Sequence, residues 1–171
     1  MAILSTSKLV TTKPTDAPLP LAPDGRQSAA ALEIARGAAR LLVNYGLVCL
    51  AEVALPNGRR ADLMGISGKG ELWIVEVKSS VEDFRVDQKW PDYQDYCDRL
   101  LFAVSPEFPL GLLPDTTGWI VADRFGAEII RDAPDLKLAA ARRKVLTVNL
   151  ARQATSRLMD LADPDRRLRS G

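Results

Sequence analysis

The chain of 171 residues contains no histidine. That absence excludes a Ser-His-Asp triad, a Cys-His nucleophile pair and any His-ligated zinc or iron centre. Cysteine is nearly as scarce. Cys49 and Cys97 stand far apart in apolar segments, with neither a disulfide framework nor zinc-ligand spacing, and read as buried, reduced thiols. No apolar run approaches the ~20 residues of a membrane span. The N-terminus has no basic segment followed by a hydrophobic block, so the expectation is a cytoplasmic protein with no membrane partner. A strong net charge is missing too, the balance being +1. Acid–base or metal chemistry is left to carboxylates, lysine and water, and hard oxygen ligands favour Mg²⁺ or Mn²⁺.

What is present is a globular composition, 47% hydrophobic, at the length of one domain. Residues 1–27, rich in Thr, Ser, Pro and Lys without periodicity, predict a flexible arm. A single domain is expected over 28–162 and a basic tail over 163–171. From Lys137 onward nine Lys/Arg face three Asp. That segment reads as a phosphate-contacting element or as the solvated face of a helix.

Ser28 suits the cap of a helix running to about Tyr45, with Ala31, Leu32, Ala35, Ala38, Ala39, Leu42 and Val43 on its apolar face and Gly46 at its end. Strands follow at 47–55, 60–67 and 71–79, the last two joined by the short loop Gly68-Lys69-Gly70. A helix over 81–97, interrupted at Pro91, leads to a buried strand over 99–104. A proline-rich connection, a hairpin of 118–122 with 127–131, and helix from about 136 to 162 with a break near Val148-Asn149 complete the chain. The order implies an α/β fold: a mixed central sheet flanked by helices, with an added β-hairpin and C-terminal helices.

The most informative stretch is Ile74-Val75-Glu76-Val77-Lys78. Glu76 and Lys78 share one face of a strand that is otherwise apolar, where an unpaired charge is costly. If Ser67 and Glu71 flank the loop, Asp62 on the preceding strand lies opposite Glu76, with β-carbons about 5 Å apart. Two carboxylates this close repel, and a divalent cation removes the repulsion while polarising a phosphodiester oxygen. Lys78 could orient an attacking water or stabilise developing negative charge, and the main-chain carbonyl of Val77 is a further candidate metal ligand. The bland alternative is an ion pair on an exposed sheet edge.

These residues resemble the PD-(D/E)XK nuclease superfamily: Asp62, then Glu76-Val77-Lys78 on the next strand, behind a helix carrying Glu33, in the αβββαβ core order. The longer pattern is similar to MmcB-like DNA-repair proteins. It includes Arg60-Ala61-Asp62, the run Trp73 to Ser80, Lys89-Trp90-Pro91-Asp92-Tyr93 and Leu101-Phe102-Ala103-Val104. The resemblance implies Mg²⁺-dependent (or Mn²⁺-dependent) endonucleolytic cleavage of DNA, with Asp62 and Glu76 as metal ligands, Lys78 at the attacking water and Glu33 supplementing the metal site. Ala61 departs from the proline of the superfamily's name. The resemblance leaves open a non-catalytic DNA-binding or adaptor protein on the same fold, working with a repair-protein partner or as a homodimer.

Candidate nucleic-acid contacts are Lys89, Trp90 and Tyr93, at helical spacing, Arg59 and Arg60 leading into the Asp62 strand, and the cluster Arg142-Arg143-Lys144. For Trp90 and Tyr93 the alternative is packing onto the sheet.

Overall fold

The Ser28 hydroxyl accepts the Ala31 amide at 3.1 Å and caps α1 (Ala29–Asn44), as its position predicts. A computed structural model describes residues 28–165. The 1–27 arm and most of the 163–171 tail lie outside the described residues. Ile34, Ala35, Ala38, Ala39 and Leu42 form the buried face of α1. Its small side chains let the helix lie close to the sheet. At Gly37 a β-carbon would stand 2.4 Å from the main-chain oxygen of Asp123, so only glycine permits that approach.

Six strands form one mixed sheet in chain order: β1 (Leu47–Ala54), β2 (Arg60–Ser67), β3 (Leu72–Lys78), β4 (Arg99–Val104), β5 (Gly118–Ala122) and β6 (Ala127–Arg131). β1 to β3 make an antiparallel meander, β3, β4 and β5 run parallel, and β6 returns antiparallel. α1 covers the face carrying Leu63, Val75, Val77, Leu101, Ala103 and Ile120. Met64, Leu72, Ile74 and Leu100 on the other face pack with Tyr93, Cys97, Leu146 and Leu150. Among the described residues no helix is long and apolar enough to cross a membrane.

Two helical predictions need correction. The segment after β3 is not one helix to Cys97. α2 spans only Val81–Val86, the chain turns through Asp87, whose carboxylate accepts the Lys89 amide at 3.0 Å, and a 3-10 segment follows over Trp90–Tyr96. Pro91 sits at the start of that segment, where its missing N–H costs nothing. The expected break at Val148-Asn149 is absent, and α3 runs unbroken over Ala140–Ala162. Asn149 points outward from its helix and donates to Ala54 O at 2.8 Å. Gln153 bonds the amide and carbonyl of Ala54, and Arg157 donates to Ala51 O and, at 2.6 Å, to Glu52 O. Three polar side chains at four-residue spacing thus cover part of the β1 edge that would otherwise offer unpaired main-chain groups.

The other end of the sheet is tied by Asp98. This buried carboxylate accepts the Leu72 amide at 2.8 Å, the Leu138 amide at 3.3 Å, and the Arg143 guanidinium at 2.5 and 2.7 Å. Its own amide donates to Leu72 O and its carbonyl accepts from Leu136. The starts of β3, β4 and α3 are therefore held through one side chain. Burial pushes the carboxyl up, but Arg143 and the two amides outweigh it and hold Asp98 below the usual carboxylate range. A depressed folded pKa adds stability that is complete above the unfolded value near ~4 and lost as pH falls through the folded one. Asp98→Ala, leaving two amides unpaired and Arg143 with only the Gly70 and Leu138 carbonyls, is expected to cost on the order of 3 kcal/mol. Asp98→Asn should also flatten the acid limb of stability against pH, measured by urea melts.

Candidate functional site

The predicted β2–β3 register is the observed one, pairing Leu63 with Val75, Met64 with Ile74 and Ile66 with Leu72. It brings Asp62 and Glu76 together at the carboxy-terminal end of β3. The paired positions stop at Leu63 and Val75. Beyond them side chains take over: the Val77 amide donates to Asp62 Oδ2 at 2.8 Å, and the Asp62 amide donates to Glu76 Oε1 at 3.3 Å. Asp62 also drops out of the β1–β2 pairing, where its neighbours Ala61 and Leu63 remain paired with Val53 and Ala51. The residue facing it on β1, Glu52, has φ 53°, the left-handed region that a non-glycine residue rarely adopts. Arg157 holds its carbonyl, and Arg60 reaches its carboxylate at 2.5 Å. The outlier is therefore fixed by its surroundings, a pattern that concentrates at functional sites.

Glu76 and Lys78 are almost fully buried, at 2% and 4% exposure, which rules out the exposed-edge ion pair. The Lys78 ammonium contacts Asp87 Oδ2 closely and lies 3.9 Å from Glu76 Oε2. Burial alone would lower its pKa, but the Asp87 hydrogen bond and the Glu76 charge raise it, so the lysine is a cation. Burial pushes Asp62 up to about 6, against the Val77 amide and Lys78, with the Glu52 and Asp83 charges adding to the rise. Glu76 is driven well above the usual range, first by burial and then by Asp62. One lysine thus does not compensate this group of carboxylates, which favours a proton or a bound cation among them. Among the described residues no group of three or more His, Cys, Asp or Glu side chains forms a metal cage by itself. Two carboxylates suit Mg²⁺, which usually keeps several waters and takes few protein ligands.

A variant of the capping box positions the helix after the lysine, with the return bond going to the residue before the cap. Ser80 Oγ accepts the Asp83 amide at 3.1 Å, and Asp83 Oδ2 accepts the Ser79 amide at 3.3 Å. α2 therefore starts immediately beyond Lys78 and delivers Asp87 back to it. Sequence reasoning missed three acids of this neighbourhood. Glu52 was detectable as the sole charge in an apolar strand, and Asp83 through the Ser-x-x-Asp signature. Asp87 had no local signal, because a loop brings it to Lys78.

The other predicted residues divide. Glu33 is exposed on α1, against the sheet face opposite to that shared by Asp62, Met64, Ile74 and Glu76. Tyr93 is buried and its hydroxyl donates to Arg60 O at 3.0 Å. Trp90 packs edge-on against Phe102 with ring centroids 5.9 Å apart. Tyr93 belongs to the core, and Trp90 is partly buried against it. Arg143 is taken up by Asp98. Arg142 donates to Asp95 O at 2.7 Å over the Tyr96 ring, and Lys144 is exposed. This cluster stands at the amino-terminal end of β3, so roughly 13 Å of strand separates it from Glu76 and roughly 20 Å from Lys78. Arg59, paired with Asp92 at 2.7 Å, Arg60 and the exposed Lys89 belong to the carboxylate end.

Fold and site define an α/β protein with a carboxylate–lysine centre at one end of a mixed sheet, the arrangement expected of a nuclease-like core. The family described as DNA repair protein MmcB-like matches residues 18–165, and the chain belongs to that family. A solved structure, the SPO1766 protein of unknown function from Silicibacter pomeroyi, is similar to it at 46% identity and a TM-score of 0.78, covering 82% of this chain and 96% of that one. No curated protein matches.

The raised Asp62 pKa has a consequence for stability. Because its carboxyl is shifted from 3.8 to about 6, the cost of ionising it in the fold begins above 3.8 and is complete above about 6. Asp62→Asn keeps an oxygen acceptor for the Val77 amide and removes the charge. It should stabilise the cation-free protein by roughly 1–3 kcal/mol at about pH 8 and leave it unchanged at about pH 3, as thermal melts at the two pH values would show.

Proposed function

We propose that the chain is a Mg²⁺- or Mn²⁺-dependent endonuclease that hydrolyses DNA phosphodiester bonds in repair, on a PD-(D/E)XK-type core. The observation that carries this reading is the pair of the half-buried Asp62 and the buried Glu76 beside Lys78, two carboxylates brought together at a cost that a bound cation removes. Membership of the MmcB-like DNA repair family supports the repair role. Asp62 and Glu76 would hold the metal, with the Val77 carbonyl as a further candidate ligand. A bound divalent cation supplies charge neutralisation and Lewis-acid activation of a phosphodiester. Lys78, held by Asp87, presents a fixed positive charge to a phosphate oxygen or an attacking water. Arg59, Arg60 and Lys89 would meet the DNA backbone, phosphates competing with Asp92 and Glu52 for the two arginines. Glu33 has no necessary part in this reading.

A second reading, a DNA-binding adaptor that does not cut, is favoured by the Lys78–Asp87 ion pair, which engages the ammonium. The two readings separate on single-stranded, nicked, flapped and branched DNA incubated with Mg²⁺ or Mn²⁺. Cleavage is expected to require the metal and to fall by at least ~100-fold in Asp62→Ala, Glu76→Ala and Lys78→Ala. Full activity of Glu76→Ala would remove the metal-site reading. Binding without cleavage on every substrate would establish the adaptor.

A further inference from the structure

The turn between β5 and β6, Asp123-Arg124-Phe125-Gly126, presents a large aromatic ring to solvent: Phe125 is 80% exposed. An exposed phenylalanine on a loose loop would need no explanation, but this turn is held rigidly. Asp123 Oδ1 accepts the amides of Phe125 and Gly126 at 2.7 and 2.9 Å, and the Asp123 amide donates to Gly126 O at 2.9 Å. Gly37 on α1 packs against the turn's main chain, and Arg40 donates to Arg124 O at 2.8 Å. The Arg124 guanidinium lies over the Phe125 ring, 4.4 Å from its centroid. One ring face is thus backed by a cation and the high exposure leaves ring surface open to a partner.

The topology places this tip. β3, β4 and β5 run parallel, so the turn after β5 lies at the same end of the sheet as Glu76 and Lys78. Lys78 is level with Val104 and Val104 with Val121, which sets Val121 two strands, or ~10 Å, from the lysine. With the turn beginning at Asp123 and held to α1, the tip stands roughly 15–20 Å from the carboxylate centre, on the α1 side of that end of the sheet.

We propose that Phe125, backed by Arg124, is a stacking platform for an unpaired base, and that the ligand of this end of the molecule is DNA with a single-stranded or unstacked segment. Phe125 stacks on the base face while Arg124 meets the adjoining phosphate. Stacking of this kind is tolerant of sequence, as every base has a π-face. The inference rests on the reading of the site as DNA-directed and adds to it a substrate class.

The test is fluorescence anisotropy of the full chain with labelled single-stranded and fully duplex oligonucleotides in EDTA, at fixed salt. Phe125→Ala should weaken single-strand binding about tenfold and leave duplex binding and the thermal melt unchanged. Phe125→Leu should lose as much as the alanine variant, Phe125→Trp should retain wild-type affinity, and Arg124→Ala should weaken binding and reduce its salt dependence. Wild-type affinity in Phe125→Ala or Phe125→Leu, with the parent protein binding DNA, overturns the stacking platform and leaves the DNA-directed reading standing. So does a change confined to self-association, read by sedimentation. Failure of the parent protein to bind any DNA, in EDTA and again with Mg²⁺, overturns both.

Discussion

The pairing register of β2 with β3 is the constraint on which the rest depends. Side chains alternate along a strand, so a slip of one residue would turn Glu76 and Lys78 toward α1 and expel Val75 and Val77 from its core. The apolar demand of two covered faces therefore fixes, as a by-product, which carboxylates meet. Asp62 faces Glu76 because Leu63 must face Val75. The site occupies the point where regular pairing gives out and carboxylates replace main-chain acceptors.

The two ends of the sheet treat buried acids in opposite ways. At the amino-terminal end of β3, Asp98 receives a bidentate guanidinium and two amides, and burial is more than offset. At the carboxy-terminal end, Asp62 and Glu76 share one lysine, which is itself engaged by Asp87, and burial wins. The first arrangement holds elements together. The second leaves negative charge to be compensated by protons or by a ligand, and the left-handed Glu52 beside it adds backbone strain. Stability is given up there while the Asp98 cluster and the helix-covered β1 edge supply it elsewhere.

Much of this was legible in the chain. Strand limits followed from β-branched runs bounded by Gly and Pro, and the α1 cap from Ser28. The short loop after Ser67 was enough to derive the facing carboxylates. The helical segments were less legible for identifiable reasons. Asp87 leaves the helix through an Asx turn, which periodicity does not report. Asn149 looks like a helix breaker, yet its side chain satisfies β1 instead of its own backbone. The side chains suggested for nucleic acid were the hardest to assign, because Tyr93, Trp90 and Arg143 have chemistry that serves a core or a surface equally well. Their partners here are Arg60 O, Phe102 and Asp98, which no local pattern reports.

The sequence by itself determined the α/β order, the register and the convergence of Asp62, Glu76 and Lys78, since these follow from local periodicity and one short loop. It also excluded histidine chemistry outright. Only the tertiary structure decided that Lys78 is held by Asp87, that Glu52 faces the site in a left-handed conformation, that the Arg142–Lys144 cluster lies at the far end of the sheet, and that Phe125 stands at the near end. Each depends on a parallel crossover or a long-range contact, and such contacts leave no periodic trace along the chain.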